Sequence, residues 1–292
     1  MSFQKISLSM LKYKILFVLF FGFGVISAQQ LEINESPSDS SQCLLKSVLE
    51  NDANLFINDI SEEVSKPTNF YCKDWIKIGA VAGLTGIFMT QDQFITDFTD
   101  KNHNSTTNKI VKVGELYGSS YSVLIIPAGF YLSGLILQND EIKSTGRILV
   151  ESLLFSGIIA QAIKISFGRA RPYMNEGTHF FKPFNLKSDY NSFPSGHTVV
   201  AFTISSVLSQ RFDNIFASIG LYTLASLTAY QRIYSNNHWF SDTFLSAAIG
   251  IVIGNSMVEI QNKDKGKESQ QTFSIIPIVN YNFAGAYFTY RF

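Results

Sequence analysis

Residues 147–167 read RILVESLLFSGIIAQAIKISF, and this stretch decides the fold class. Val150, Leu153 and Leu154 recur at helical rather than alternating spacing. The run is too long for an ordinary strand, so it predicts a helix, with Lys164 near its end. Similar apolar segments lie near 75–91, 118–138, 197–211, 214–231 and 239–258, joined by polar connections. Tyr121, Leu124 and Ile125 repeat the helical spacing. Six such segments predict an all-α fold, a six-helix bundle.

The same segments bear on the membrane. Residues 118–138 alone are uncharged over a full span, and they contain Pro127. Glu151, Lys164, Arg211 and Asp213 interrupt or flank others, whose shorter uncharged stretches suit core helices. A bundle carrying many of the chain's 26 phenylalanines also suits a lipid-facing side, which tips the reading toward membrane association. Lys plus Arg and Asp plus Glu both count 23, which argues against nucleic acid as a partner. Any positive charge that matters must therefore be local.

The two ends differ from the middle. Lys5, Lys12 and Lys14 precede an uncharged apolar run, 15–26, that ends at Ser27-Ala28-Gln29. That pattern predicts a signal peptide over 1–28, favoured over an uncleaved anchor. Either reading makes the chain an exported, cell-envelope protein, membrane-associated or periplasmic, with its site on the outer side of the inner membrane. Residues 29–70 read as a polar lead-in with one short helix around 44–57, and 71–260 as the main domain. A charged linker then opens a β-like tail over 261–292, in which Ala284, Ala286, Phe288, Tyr290 and Phe292 alternate onto one face. Two strands cannot close a barrel, so a hairpin is favoured over the end of an outer-membrane barrel. Cys43 and Cys72 either pair or stay free thiols, and neither has zinc-ligand spacing.

Three clusters carry chemistry. Lys164 and Arg171, the latter before Pro172, stand seven apart at the end of the third helix, two turns along nearly one face. Two cations there either share an anion or complement the helix dipole in solvent. Pro194-Ser195-Gly196-His197 precedes the next helix, whose N-terminus offers free N–H donors and a positive dipole end. An ordinary serine cap with an incidental histidine is the plainer reading. Arg232 is followed by His238 and Asp242, spaced i and i+4. A carboxylate there can fix one imidazole tautomer and free the other nitrogen, or the pair can cap a helix.

Together the clusters resemble the type 2 phosphatidic acid phosphatase (PAP2) family, which includes acid phosphatases, lipid phosphatases and vanadium haloperoxidases. Its pattern is Lys-x6-Arg-Pro, Pro-Ser-Gly-His and Ser-Arg-x5-His-x3-Asp. The first two match in full, and the third departs where Gln231 replaces the usual serine. The resemblance covers about residues 75–258. It implies that His238 attacks phosphorus, Asp242 orients it, and His197 serves as general acid and then base. Lys164, Arg171, Ser195, Gly196 and Arg232 would hold the phosphate oxygens.

The implied activity is a metal-independent phosphatase acting through a phosphohistidine, on a phosphate or pyrophosphate ester of a lipid, with no cofactor. Three cations and a helix N-terminus supply the charge that such a transfer needs. The alternatives are a soluble, broad-specificity periplasmic acid phosphatase, a vanadate-dependent haloperoxidase, and a non-catalytic binding protein. The long connection 173–193 carries Phe180, Phe181, Phe184 and Tyr190, which either shape an apolar pocket or pack over the bundle.

Overall fold

The computed structural model describes residues 39–264, 272–280 and 283–291, with side chains over 46–263. The predicted signal peptide over 1–28 and the linker residues 265–271 lie outside the described residues, as does the Cys43 side chain. Cys72 is a free, exposed thiol. The chain divides into two compact units, Met1–Leu55 and Phe56–Phe292.

Nine α-helices are found among the described residues: α1 (Asp39–Ser65), α2 (Cys72–Met89), α3 (Asp92–Lys101), α4 (Ser105–Tyr117), α5 (Ser120–Ile136), α6 (Asp140–Phe167), α7 (Gly196–Phe212), α8 (Ile215–Tyr234) and α9 (Phe240–Asp264). The six predicted helices are α2 and α5 to α9. They pack as a bundle in which α7 touches α6, α8 and α9, while α5 lies on α6 and α2 on α9. The core joins Ile148, Leu149 and Leu153 of α6 to Ile204, Val207 and Leu208 of α7 and Ile253 and Met257 of α9. Burial of such side chains contributes about 1.5–3 kcal/mol each, and this fixes the bundle. After it, β1 (Thr272–Asn280) and β2 (Phe283–Arg291) pair antiparallel, with Thr272 opposite Arg291.

Three helices were not expected at these lengths. α1 runs through most of the presumed lead-in, well beyond 44–57. α3 and α4 fall in a stretch read as connection. α3 has an inverted face pattern: Asp92, Thr96 and Thr99 are buried, whereas Phe94 and Phe98 are exposed. Asn104 starts α4 by accepting from the Thr107 amide at 2.9 Å.

The charge of Glu151 inside the bundle is paired. Glu151, which interrupts the apolar face of α6, accepts from Arg147 at 2.6 Å, and Arg147 also meets Asp59 at 2.5 Å. Without these partners the buried carboxylates would be costly.

α6 and α9 are long and apolar enough to cross a membrane, and α4 with α5, bent by 56° at their break, would make a third span. Large apolar side chains on α2 and α5 face outward, among them Ile76 at 66%, Ile125 at 67% and Ile136 at 80% exposure. That is far more exposed apolar surface than water tolerates cheaply.

Candidate active site

Chain direction brings the three clusters to one end of the bundle. α6 ends there, α7 starts there, α8 returns there, and α9 departs from there. Lys164 sits in the last turn of α6, and its Nζ donates to the carbonyls of Asn191 (2.8 Å) and Pro194, just before α7. Arg171 reaches the α8–α9 turn, donating to Asn237 Oδ1 at 3.2 Å. The Ser195 amide donates to Ser246 Oγ of α9 at 2.7 Å.

The turn after α6 requires its glycine. Gly168 has φ +60°, and a Cβ there would meet the Lys182 carbonyl oxygen at 1.8 Å. This close approach lets 168–193 fold back, with Lys182 N–H donating to Gly168 O (2.7 Å) and Ser192 N–H to Arg169 O (3.1 Å). The loop aromatics mostly pack. Tyr190 is buried, Phe180 and Phe181 are half-buried, and Phe184 alone of the four stands out at 76% exposure.

The start of α7 presents unpaired donors. Ser195 caps the helix without a side-chain cap bond, and the first helical amide to find a partner is Val199, on Ser195 O at 3.0 Å. The amides of Gly196, His197 and Thr198 are the free N–H donors that favour an anion. Thr198 Oγ1 donates to Ser195 Oγ at 3.0 Å, which leaves the Ser195 proton available to a ligand. A Cβ on Gly196 would meet nothing within 4 Å. Arg232 is 7% exposed, and its buried Nε has no hydrogen-bond partner. An orphaned guanidinium N–H is expensive unless a ligand oxygen takes it.

His238, 2% exposed, stands just before α9. Its Nδ1 lies 2.6 Å from the Ser192 carbonyl oxygen and 3.7 Å from Asp242 Oδ2. A carbonyl can only accept, so Nδ1 carries the proton and Nε2 keeps its lone pair. Asp242 is wholly buried and accepts from Ser192 Oγ (2.5 Å), the Trp239 amide (2.9 Å) and Arg169 Nη1 (2.7 Å).

Comparison with known proteins fits this arrangement. The model of the PAP2 superfamily matches residues 145–265, which hold every residue of the three clusters. This segment resembles the PAP2 superfamily. A lipid A 1-phosphatase of Porphyromonas gingivalis is 38% identical over 117 residues, covering 38% of this chain and 23% of that protein. A lipid A 1-phosphatase of Rhizobium johnstonii is 30% identical over 110 residues, covering 36% of this chain and 43% of that one. The chain thus spans less than half the length of these curated relatives. The crystal structure of Aquifex aeolicus LpxE aligns with a TM-score of 0.46 at 23% identity, covering 57% of this chain and 94% of that one.

The two motif histidines differ in how their surroundings hold them. Burial lowers His238 to about 3, and Lys164 and Arg171 push the same way while Asp242 opposes. Burial also lowers His197 to about 4, helped by Arg232, Arg171 and Lys164. Both rings are therefore neutral near pH 7. All three cations act on His197, so the four groups lie close together at this end of the bundle.

The structure brings all the PAP2-motif residues together and adds three that the sequence reading missed. Ser192 supplies both the carbonyl for His238 and a hydroxyl for Asp242. Arg169 and Asp92 lie behind Asp242. Arg169 falls inside the first motif, so its position was a usable signal, but nothing local marks Asp92. Gln231, the departure from the usual serine, accepts from Arg232 Nη1 through its Oε1 at 3.2 Å.

A mostly apolar cleft of about 260 Å³ adjoins the start of α7. Val123 of α5, Leu153, Gly157 and Ala160 of α6, and Val200 of α7 line it, together with Lys164 and His197.

Proposed function

We propose that this protein is a membrane-associated phosphatase that hydrolyses a phosphate or pyrophosphate ester of a lipid, without a metal, through a phosphohistidine on His238. The observation that carries the reading is the Ser192 carbonyl on His238 Nδ1, which leaves Nε2 unprotonated beside a seat of unpaired donors. Lys164, Arg171 and Arg232, with Ser195 and the α7 amides, hold the phosphoryl oxygens. His238 Nε2 attacks phosphorus, and the bond to the leaving oxygen breaks as His197 protonates that oxygen. Water then attacks the phosphohistidine, giving its proton to His197, and the P–N bond breaks to release phosphate. The bound dianion offsets the three cations and so raises His197 to where it can hold the proton it needs.

The apolar cleft supports a lipid leaving group, because it includes His197, the residue that would protonate that group. The P. gingivalis and R. johnstonii relatives are named as lipid A 1-phosphatases, which makes a phosphorylated glycolipid the first substrate to try. The basic, apolar and small-residue pattern of 1–28 supports export, with the site on the outer face of the membrane. The phosphatase unit is assigned to 71–260.

The test is hydrolysis of a phosphorylated lipid and of p-nitrophenyl phosphate, both in chelator, by wild type and Gly157→Leu. Filling the cleft should cut lipid turnover about tenfold more than ester turnover. Equal losses on the two substrates would point to a soluble-ester phosphatase, and a requirement for divalent metal would remove the mechanism.

A further inference from the structure

Arg169 is the largest fully buried side chain among the described residues, and all five of its N–H groups are used. Nε and one Nη2 hydrogen go to the Thr178 carbonyl, at 3.0 and 2.5 Å. The other Nη2 hydrogen goes to Asp92 Oδ2 at 2.8 Å. Nη1 divides its pair between Ser241 Oγ (2.8 Å) and Asp242 Oδ1 (2.7 Å). A guanidinium is suited to this work because its planar fork fixes several acceptors at once.

Asp92 completes the layer from the far side. It opens α3, is 0% exposed, and takes the Ser241 amide on Oδ1 (2.9 Å) and the Ser241 hydroxyl on Oδ2 (2.6 Å). The Ser241 amide belongs to the first turn of α9 and has no partner within that helix. Asp92 therefore caps α9 from another helix, at the residue before Asp242. A single-residue hydroxyl, Ser241, joins the two carboxylates' partners by accepting from Arg169 and donating to Asp92.

We infer that Arg169 and Asp92 are positioning residues that lock the start of α9, and so hold Asp242 and His238 in the geometry for attack on phosphorus. Neither touches the anion seat. Arg169 acts by holding the Asp242 carboxylate in one orientation, with Ser192 Oγ on its other oxygen. Asp92 acts by fixing the α9 turn that carries both residues. The remaining cations, Lys164, Arg171 and Arg232, are then left to the substrate. This inference presumes the His238 mechanism proposed above.

The experiment compares wild type, His238→Ala, Arg169→Lys, Asp92→Asn and Ser241→Ala in detergent. It reads kcat and KM on p-nitrophenyl phosphate, inhibition by sulfate, and thermal unfolding. Arg169→Lys keeps the charge but loses the fork, and Asp92→Asn keeps the shape but loses the charge. Each should lower kcat by about 10- to 100-fold with KM and sulfate inhibition within about threefold of wild type, since small misplacements of a reacting group have costs of this size. Ser241→Ala removes the shared hydroxyl with no change of charge, and it should lower kcat by about fivefold with the same split. It decides the matter if Arg169→Lys and Asp92→Asn do not fold. A folded variant with wild-type kcat, or one whose sulfate affinity falls in step with kcat, overturns the inference. If His238→Ala is dead and the three variants are fully active, this inference alone fails. If His238→Ala keeps wild-type activity, the mechanism fails and this inference with it.

Discussion

The ring of His238 is held by the backbone of Ser192: Nδ1 meets the carbonyl oxygen at 2.6 Å, closer than any carboxylate. This relationship has a consequence for mutagenesis, because no side-chain substitution deletes a carbonyl. Asp242→Asn should keep the His238 tautomer and lose about 10- to 100-fold in kcat. His238→Ala should lose at least about a thousandfold. Asp242→Asn should also unfold more readily, because it leaves the buried Arg169 with one ionic partner fewer. Steady-state kinetics on both variants check this. A loss for Asp242→Asn as large as that for His238→Ala would assign the tautomer to the carboxylate.

Acid should weaken the protein and tighten its hold on anions. His197 and His238 are held at about 4 and about 3, below the unfolded value of about 6.5. Between those values the unfolded chain binds protons that the native state does not, so stability falls as pH drops from about 6.5. Sulfate, which does not itself titrate in this range, should favour protonated His197. Its affinity should rise as pH falls from 7 toward 4, by up to about tenfold per unit, and His197→Ala should flatten the dependence. Calorimetric titration at several pH values measures this, and a flat wild-type profile would contradict it.

Gly168 is predicted to tolerate no side chain. At φ +60°, with the Lys182 carbonyl where a Cβ would go, Gly168→Ala must move the loop or strain the turn. The expected cost is at least about 2 kcal/mol, with activity lost alongside because Arg169 and Arg171 follow directly. Thermal unfolding checks this against Gly129→Ala, a site where a Cβ meets nothing within 4 Å.

Arg232 is expected to depend on Gln231. The guanidinium has an unpaired buried Nε and is held through Nη1 by Gln231 Oε1. Arg232→Lys should cost about 10- to 100-fold in kcat/KM, because an ammonium cannot replace the fork. Gln231→Ser restores the usual residue but withdraws that partner, and should cost about threefold to tenfold. Kinetics on the two variants would show it, and an unchanged Gln231→Ser would make the longer side chain incidental.

The bundle and the three clusters were legible where they depend on local pattern. The helical spacing of Val150, Leu153 and Leu154, and the spacing from Lys164 to Arg171 and from His238 to Asp242, survive any detail of packing. What escaped depends on contacts distant in sequence. Asp92 meets Arg169 across 77 positions, and no periodicity announces it. α3 was missed because its polar face turns inward to that contact while Phe94 and Phe98 turn out, opposite to the pattern of a helix in water. Ser192 acts through its carbonyl, which any residue would supply, so its identity as a partner of His238 could not be read from residue type.

The phosphohistidine tests the account most directly. Rapid quenching of wild type and His197→Ala with a labelled phosphate ester should trap phosphate on His238, stable to base and labile to acid. It should accumulate in His197→Ala, where the water that releases it lacks its base, and be absent from His238→Ala. Turnover with no phosphate on His238 at any time, or the same label in His238→Ala, would contradict the account.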